Sequence, residues 1–264
     1  MPQSDRMLLI ELASSVSELA SAVRELRESQ SAIGERLTAM EERLERHHEA
    51  AQRRARTGYA QIEDLLGLYR DIDPARSLPR TRGWAAGPEL LRFLYETIVE
   101  QRCSLVLECG SGTTTVVMAH ALRSLGSGRV AALEHDPGFA ARTRRDLEEH
   151  GLTEWAEVVD AELTDVTIDG EAWRWYDPAA IPPGEIDLLV VDGPPGATGP
   201  EARYPALPLL AERLSERAPV VLDDADRADE RAIERRWIER FPQFAAERLK
   251  HERGTVVLRR TEEL

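Results

Sequence analysis

The sequence predicts an α/β fold with a mainly parallel sheet, carried behind a long N-terminal helix, and three observations lead there. Short apolar runs of strand length at 105–107, 129–133, 186–191 and 218–222 alternate with longer segments of helical periodicity. That order suits parallel strands joined by crossover helices. Most runs lead into a glycine turn or an acidic residue: Glu108 with Gly110 and Gly112, then Glu134, Asp192 and Asp223-Asp224. In open α/β sheets ligands bind beyond those strand ends. Finally, from Leu9 onward the apolar residues recur at alternating steps of three and four, the signature of a helical seam.

At 264 residues the chain has room for one domain with a large core and an added element. A formal charge of −14 argues against nucleic acid as a partner, because phosphate binding needs a concentrated basic face. No apolar stretch approaches the length of a membrane span, and the N-terminus lacks a basic region followed by an apolar signal core. The chain is therefore expected in the cytoplasm, without a membrane partner. Cys103 and Cys109 flank the first strand and are expected as free thiols in a reducing compartment.

The seam begins at Leu9, Leu12, Val16, Leu19, Val23 and Leu26 and continues through Gln30, Ile33, Leu37, Met40, Leu44 and His47 to Ala51. A repeat kept over about six heptads indicates a coiled coil, and valine at the first core position with leucine at the second favours a parallel homodimer. Gln30 and the later leucines leave a trimer open, and the helix could instead pack along its own catalytic domain. The seam fails at Gly58. A short amphipathic piece, Ile62, Leu65, Leu66 and Leu68, then leads into Pro74, Pro79 and Gly83. The expected division is a coiled-coil helix over 1–57, a helical linker over 58–83 and a catalytic domain over 84–264.

The chemistry is expected at the first turn. The run 105–107 reads as a buried strand, Gly110 and Gly112 let the backbone approach a ligand, and Thr113 or Thr114 can cap the following helix. The free N–H groups of that helix point back at whatever lies over the glycines. Glu134 ends the second strand, where an acidic side chain can accept both hydroxyls of a ribose. Two residues argue against a dinucleotide pyrophosphate. Thr115 stands where a small residue is wanted, and a carboxylate at Glu108 repels a diphosphate but suits a ligand that carries an ammonium group.

These residues resemble the class I, seven-stranded methyltransferases that use S-adenosylmethionine, with Glu108-Cys-Gly110-Ser111-Gly112 similar to their first motif. The resemblance covers about 84–260 and is nearest to the O-methyltransferase-like group with Asp-Gly-Pro-Pro-Gly and Asp-Asp motifs. It implies a Rossmann-like sheet of seven strands whose C-terminal pair, 244–249 and 255–259, forms an antiparallel hairpin. It also implies that Glu108, Gly110, Ser111 and Gly112 lie along the methionine end of the cofactor and that Glu134 takes the ribose. The end of the third strand, Asp160, Ala161 and Glu162, would lie beside the adenine, and the sequence does not choose between Asp160 and Glu162. The segment from Trp84 to the helix over 89–99 would cross the cofactor as a lid, or Trp84 is plain packing.

Asp192, at the head of Asp192-Gly-Pro-Pro-Gly196, would face the emerging methyl group. With Asp223 and Asp224 ending the neighbouring strand, it could give three oxygen ligands to Mg²⁺ or a similar hard cation. Related metal-dependent enzymes often carry asparagine where this chain has Asp224, which puts the metal in question. The implied reaction is methyl transfer to a hydroxyl of a small molecule or sugar, with a cation lowering the hydroxyl's pKa. Without a metal, Asp192 or Asp223 would be the general base, with Asp223 otherwise capping the next helix and Asp224 pairing with Arg227. Arg203 is read either as neutralising an anionic acceptor or as a surface charge. The aromatic stretch Trp173-Arg-Trp-Tyr-Asp177 shields the adenine, lines the acceptor pocket, or forms a hairpin covering the sheet edge. Two rival readings remain, a nicotinamide-dependent oxidoreductase and an oligomeric scaffold that keeps a cofactor fold without turnover.

Overall fold

The structure, a computed structural model, describes residues 3–81 and 85–261. Trp84, and with it the lid reading of that side chain, lies outside them, as does the side chain of Leu9. By its internal contacts the chain divides into two compact units, Met1–Gly58 and Tyr59–Leu264.

Helix α1 (Gln3–Ile72) fills the first unit and continues past Gly58, where the seam was expected to fail, into the stretch expected as a helical linker. One glycine costs a helix interior about 1 kcal/mol, too little to break a helix of this length. The helix stops instead at Ile72, where Asp73 takes a left-handed φ of 42° ahead of Pro74. In the first unit every described seam residue from Leu12 to Ala51 is exposed. Beyond Tyr59 the pattern changes, and Leu68 and Ile72 are buried in the core of the second unit.

The second unit is built on a seven-stranded sheet. After α2 (Pro88–Gln101) come β1 (Leu105–Cys109), α3 (Thr113–Leu125), β2 (Arg129–Glu134), α4 (Pro137–His150) and β3 (Ala156–Asp160). A hairpin, β4 (Leu163–Ile168) and β5 (Glu171–Tyr176), precedes β6 (Leu188–Val191), α5 (Ala206–Leu210), β7 (Val220–Asp223) and α6 (Ala228–Arg240). The chain closes with β8 (Phe244–Leu249) and β9 (Thr255–Arg260). The spatial order is β3-β2-β1-β6-β7-β9-β8, with β9 antiparallel to both β7 and β8 and the remaining neighbours parallel. This is the seven-stranded sheet with a C-terminal antiparallel hairpin that the resemblance implied.

Strand alternation divides the core. Val106, Val130, Val190 and Val221 face a layer made by α2, α3, α4 and the end of α1. Leu107, Leu133, Leu189 and Leu222 face the opposite layer, where α5 and α6 pack. The aromatic stretch does form a hairpin, but it does not guard a sheet edge. Trp175 and Tyr176 are fully buried among Leu107, Leu133 and Leu189. The hairpin thus covers a sheet face between β3 and β6, the place a crossover helix otherwise fills. The apolar content of Trp175 and Tyr176 is spent on that face.

Register then fixes the site. Cys109 lies opposite Leu133 on one side and Val191 on the other, and Val191 lies opposite Leu222. The residues that follow, Gly110, Glu134, Asp192 and Asp223, must therefore emerge along one edge of the sheet.

Candidate active site

The turn after β1 is shaped by its glycines, with φ of 107° at Gly110 and 154° at Gly112, values that side-chain-bearing residues rarely adopt. Gly112, not Thr113 or Thr114, is the N-cap of α3. The threonines act one turn later. Thr115 Oγ1 accepts the Gly112 N–H at 3.0 Å and donates to Glu108 at 2.5 Å, while Thr114 Oγ1 donates to the other Glu108 oxygen. Glu108 is 1% exposed and is held against the first turn of α3 rather than open to solvent. Burial pushes its carboxyl up to about 8, against the pull of the two threonine hydroxyls. Thr115, read from sequence only as a departure from a dinucleotide motif, is the residue that ties the glycine turn to Glu108.

Glu134 is buried beside the same turn. One oxygen accepts the Ser111 hydroxyl at 2.9 Å, and the other accepts the backbone N–H groups of His135 and Asp136 at 2.9 and 3.0 Å. Ser111 in turn lies 3.1 Å from Thr143 on α4. The end of β3 is arranged differently. Asp160 points its exposed carboxylate to Arg144 at 2.7 Å, Ala161 is buried with its N–H donated to the Glu134 carbonyl, and Glu162 is exposed.

Over the turn lies a cleft of about 540 Å³ lined by Ser111, Gly112, Thr113, Thr114 and Asp192. Its other walls are Pro79, Arg80, Ala85 and Ala86 on one side and Phe139, Arg142, Thr143 and Asp146 of α4 on the other. Sequence reasoning missed the α4 wall. A signal was present, because Phe139 is the one aromatic residue of an otherwise polar helix and is 47% exposed. A second cleft of about 280 Å³ is lined by Gly87, Glu89, Leu90, Asp223, His251, Glu252 and Arg253. Asp192 belongs to the first cleft and Asp223 to the second, and the two carboxylates, with Asp224, converge within 4.8 Å.

The convergence of Asp192, Asp223 and Asp224 follows the strand ends, but the cluster is not left to itself. Arg203, read from sequence as an acceptor-neutralising group or a surface charge, is 4% exposed and lies inside it. Its Nη2 donates to Asp192 at 3.1 Å and to Asp224 at 3.2 Å, and its Nη1 donates to the Asp223 carbonyl at 2.9 Å and lies 3.6 Å from Glu230. Asp224 also pairs with Arg227 at 2.9 Å and with Arg253 at 3.3 Å. The alternative capping role for Asp223 is not seen, since the N-cap of α6 is Arg227. Among the described residues no guanidinium pairs with the Asp223 carboxylate. Burial raises Asp192 to about 7 against the pull of Arg203, and burial followed by the charge of Asp224 raises Asp223.

Gly193 explains why the turn after β6 can sit so close to β1. A Cβ there would lie 2.4 Å from the Tyr176 hydroxyl and 3.2 Å from the Cys109 carbonyl. Cys103 and Cys109 themselves are free and buried.

Residues 107–225 match the family model described as "Methyltransferase domain". Among solved structures, the SAH-bound methyltransferase PaMTH1 of Podospora anserina is similar, at 15% identity and a TM-score of 0.53, over 75% of this chain and 88% of that one. A methyltransferase from Geobacter sulfurreducens aligns at 18% identity and a TM-score of 0.49, over 76% of this chain and 90% of its own. The O-methyltransferase from Bacillus cereus in complex with SAH aligns at 18% identity and a TM-score of 0.48, over 76% and 91%. No curated protein matches the sequence. Among the described residues no helix is long and apolar enough to cross a membrane.

Proposed function

We propose that this chain is a class I, S-adenosylmethionine-dependent methyltransferase that transfers the methyl group to a hydroxyl of a small molecule or sugar, a reading supported by the match to a methyltransferase-domain model and by the sheet order. The observation that carries this reading is the meeting of two clefts at one set of carboxylates. The larger cleft has the glycine turn, the start of α3 and Ser111 in its wall, which suits the cofactor. The smaller, with Asp223 in its wall, suits the acceptor.

In this reading Gly110 and Gly112 let the methionine end of the cofactor approach the backbone, and Glu108 lies beneath it. Glu134 and Ser111, hydrogen-bonded to each other, exchange that bond for the ribose hydroxyls. Ala161 is next to the adenine through its backbone, and of its two neighbours Glu162 is the adenine candidate, because Asp160 is engaged by Arg144. Asp192, in the wall of the larger cleft, would face the methyl group to be transferred. An acceptor hydroxyl entering from the smaller cleft gives up its proton to Asp223 or Asp192 as its oxygen attacks the methyl carbon. The bound cofactor would supply the methyl group from its sulfonium and would be released as the neutral thioether, with the C–S electron pair kept by sulfur. Most of the rate gain in such a transfer comes from aligning oxygen, carbon and sulfur, and a base whose pKa burial has raised is the better proton acceptor near neutral pH.

Mg²⁺ or a similar cation fits the number and spacing of the carboxylates but not their state, because Asp192 and Asp224 are already held by a guanidinium. No step is therefore routed through a metal. As for partners, the exposed seam over 12–51 fits a second copy of the same helix, giving a homodimer by coiled-coil pairing.

Calorimetric titration with S-adenosylmethionine and, separately, NAD tests the cofactor, and transfer of a labelled methyl group to a panel of hydroxyl-bearing acceptors tests the reaction. Asp223→Asn should weaken transfer far more than S-adenosylmethionine affinity, by roughly 10²–10⁴-fold if Asp223 is the base. Failure to bind S-adenosylmethionine would end the reading. Binding without transfer to any acceptor would favour a scaffold.

A further inference from the structure

We propose that Arg203 takes the place that a divalent cation would occupy between Asp192 and Asp224, so that methyl transfer here is metal-independent and removing Arg203 converts the cluster into a cation site. The inference rests on reading this cluster as the methyl-transfer site.

The cluster has the outline of a hard-cation site, three carboxylates within 4.8 Å of one another. A hard dication needs several oxygen ligands close at hand, with Mg²⁺ holding them at about 2.0–2.1 Å. Here two of the three carboxylates face Nη2 of Arg203, at 3.1 and 3.2 Å. A guanidinium does not deprotonate in proteins, so an ion between these oxygens would meet a full positive charge at close range with little water to screen it.

Nor can Arg203 readily swing away. Its other nitrogen, Nη1, is fixed to the Asp223 carbonyl at 2.9 Å and faces Glu230 at 3.6 Å. The following residue is locked as well. Tyr204 offers its carbonyl to the Trp237 indole N–H at 2.8 Å, and its ring packs against Trp173, with centroids 4.8 Å apart, and under the Arg236 guanidinium at 4.0 Å. Withdrawing Arg203 would strand Glu230 and Asp224 as buried charges with weakened pairing.

Charge balance points the same way. Asp192, Asp223, Asp224 and Glu230 bring four carboxylates, and Arg203, Arg227 and Arg253 bring three guanidiniums. Little uncompensated charge remains to draw in a dication. Asp224, the most heavily paired of the acids, stands where a metal ligand would be wanted, yet each of its oxygens already accepts from an arginine. Among the described residues Asp223 is the one carboxylate of the three without a guanidinium, and it lines the smaller cleft. Arg203 thus acts as a positioning residue that holds Asp192 in place and leaves Asp223 to the acceptor.

The test is electron paramagnetic resonance of Mn²⁺ titrated into the full chain, with and without S-adenosylhomocysteine, for the wild type, Arg203→Met and Arg203→Gln. The wild type should leave the free Mn²⁺ signal unchanged up to millimolar metal, and its turnover should be indifferent to a chelator. Either Arg203 variant should bind about one Mn²⁺ per chain, and adding Asp224→Asn to it should abolish that binding. Stoichiometric Mn²⁺ binding by the wild type that Asp224→Asn removes would overturn the proposal outright. Folded Arg203 variants that bind no Mn²⁺ would overturn its second half. The wild-type titration stands even if both variants fail to fold. Because this readout needs no acceptor, it is separable from the methyltransferase reading, which fails only if S-adenosylmethionine does not bind.

Discussion

At the scale of single residues, Glu108 and Glu134 show how one strand edge holds two carboxylates in different surroundings. Glu134 accepts from Ser111 and from two backbone N–H groups. Glu108 is sealed beneath α3 with only two threonine hydroxyls for company. If Glu134 holds the ribose, Glu134→Ala should weaken S-adenosylmethionine binding by roughly 1.5–3 kcal/mol, the worth of a charged hydrogen bond. Calorimetry measures this directly, and unchanged affinity would remove the assignment.

Glu108 leads to a pH prediction. Its folded pKa of about 8 lies above that of an unfolded glutamate, so the folded state holds a proton that the unfolded state gives up. The stability linked to that proton is fully present below pH 4 to 5 and is lost as the pH rises through about 8. The melting temperature of the ligand-free protein should therefore fall across that window, and Glu108→Gln should flatten part of the fall. A variant whose profile follows the wild type in parallel would show that Glu108 is not buried as a neutral acid.

At the scale of elements, the β4–β5 hairpin does the work of a crossover helix. It offers few side chains to the sheet, and the two most deeply buried, Trp175 and Tyr176, are large. Trp175 is completely buried against Leu107, Leu133 and Leu189, and Trp175→Ala should cost about 3–5 kcal/mol, measurable by urea denaturation. A cost under 1 kcal/mol would mean that the hairpin is loosely docked. Gly193 belongs to the same scale. With the Tyr176 hydroxyl in the space a Cβ would take, Gly193→Ala should displace the turn that carries Asp192. Turnover should then fall much more than cofactor affinity does.

At the scale of the whole molecule, the unit Met1–Gly58 is a helix with an apolar stripe in water: Leu19, Leu26, Met40 and Leu44 are each at least 66% exposed. Such a stripe is unfavourable unless covered, and a second copy in parallel would cover it residue for residue. Light scattering on the full chain should report a dimer, and a chain beginning at Tyr59 should report a monomer. Cutting nearer Asp71, which the sequence alone suggests, would remove Leu68 from the core and confuse loss of pairing with loss of folding. A monomeric full-length chain would exclude the helix as a dimerisation element.

Much of this fold follows from the sequence alone because its signals are local. Four apolar strand runs, the glycine pair of the first turn, the helix opened by Pro137 and closed by Gly151, and the terminal hairpin are each set by the period and punctuation of a few neighbouring residues. The alignment of Glu134, Asp192 and Asp223 along one edge was legible too, since parallel strands of similar length end together. What the tertiary structure decided is how distant side chains are shared. Thr115 looked like a mismatch until Glu108 was seen to need its hydroxyl. Arg203 looked like a helix-start surface charge because nothing in its own neighbourhood announces burial; its partners lie at Asp192, Asp224 and Glu230, on three other segments. Sequence spacing identifies which acids reach the strand ends. Only packing determines which cation meets them, because charge pairing depends on distance in space rather than along the chain.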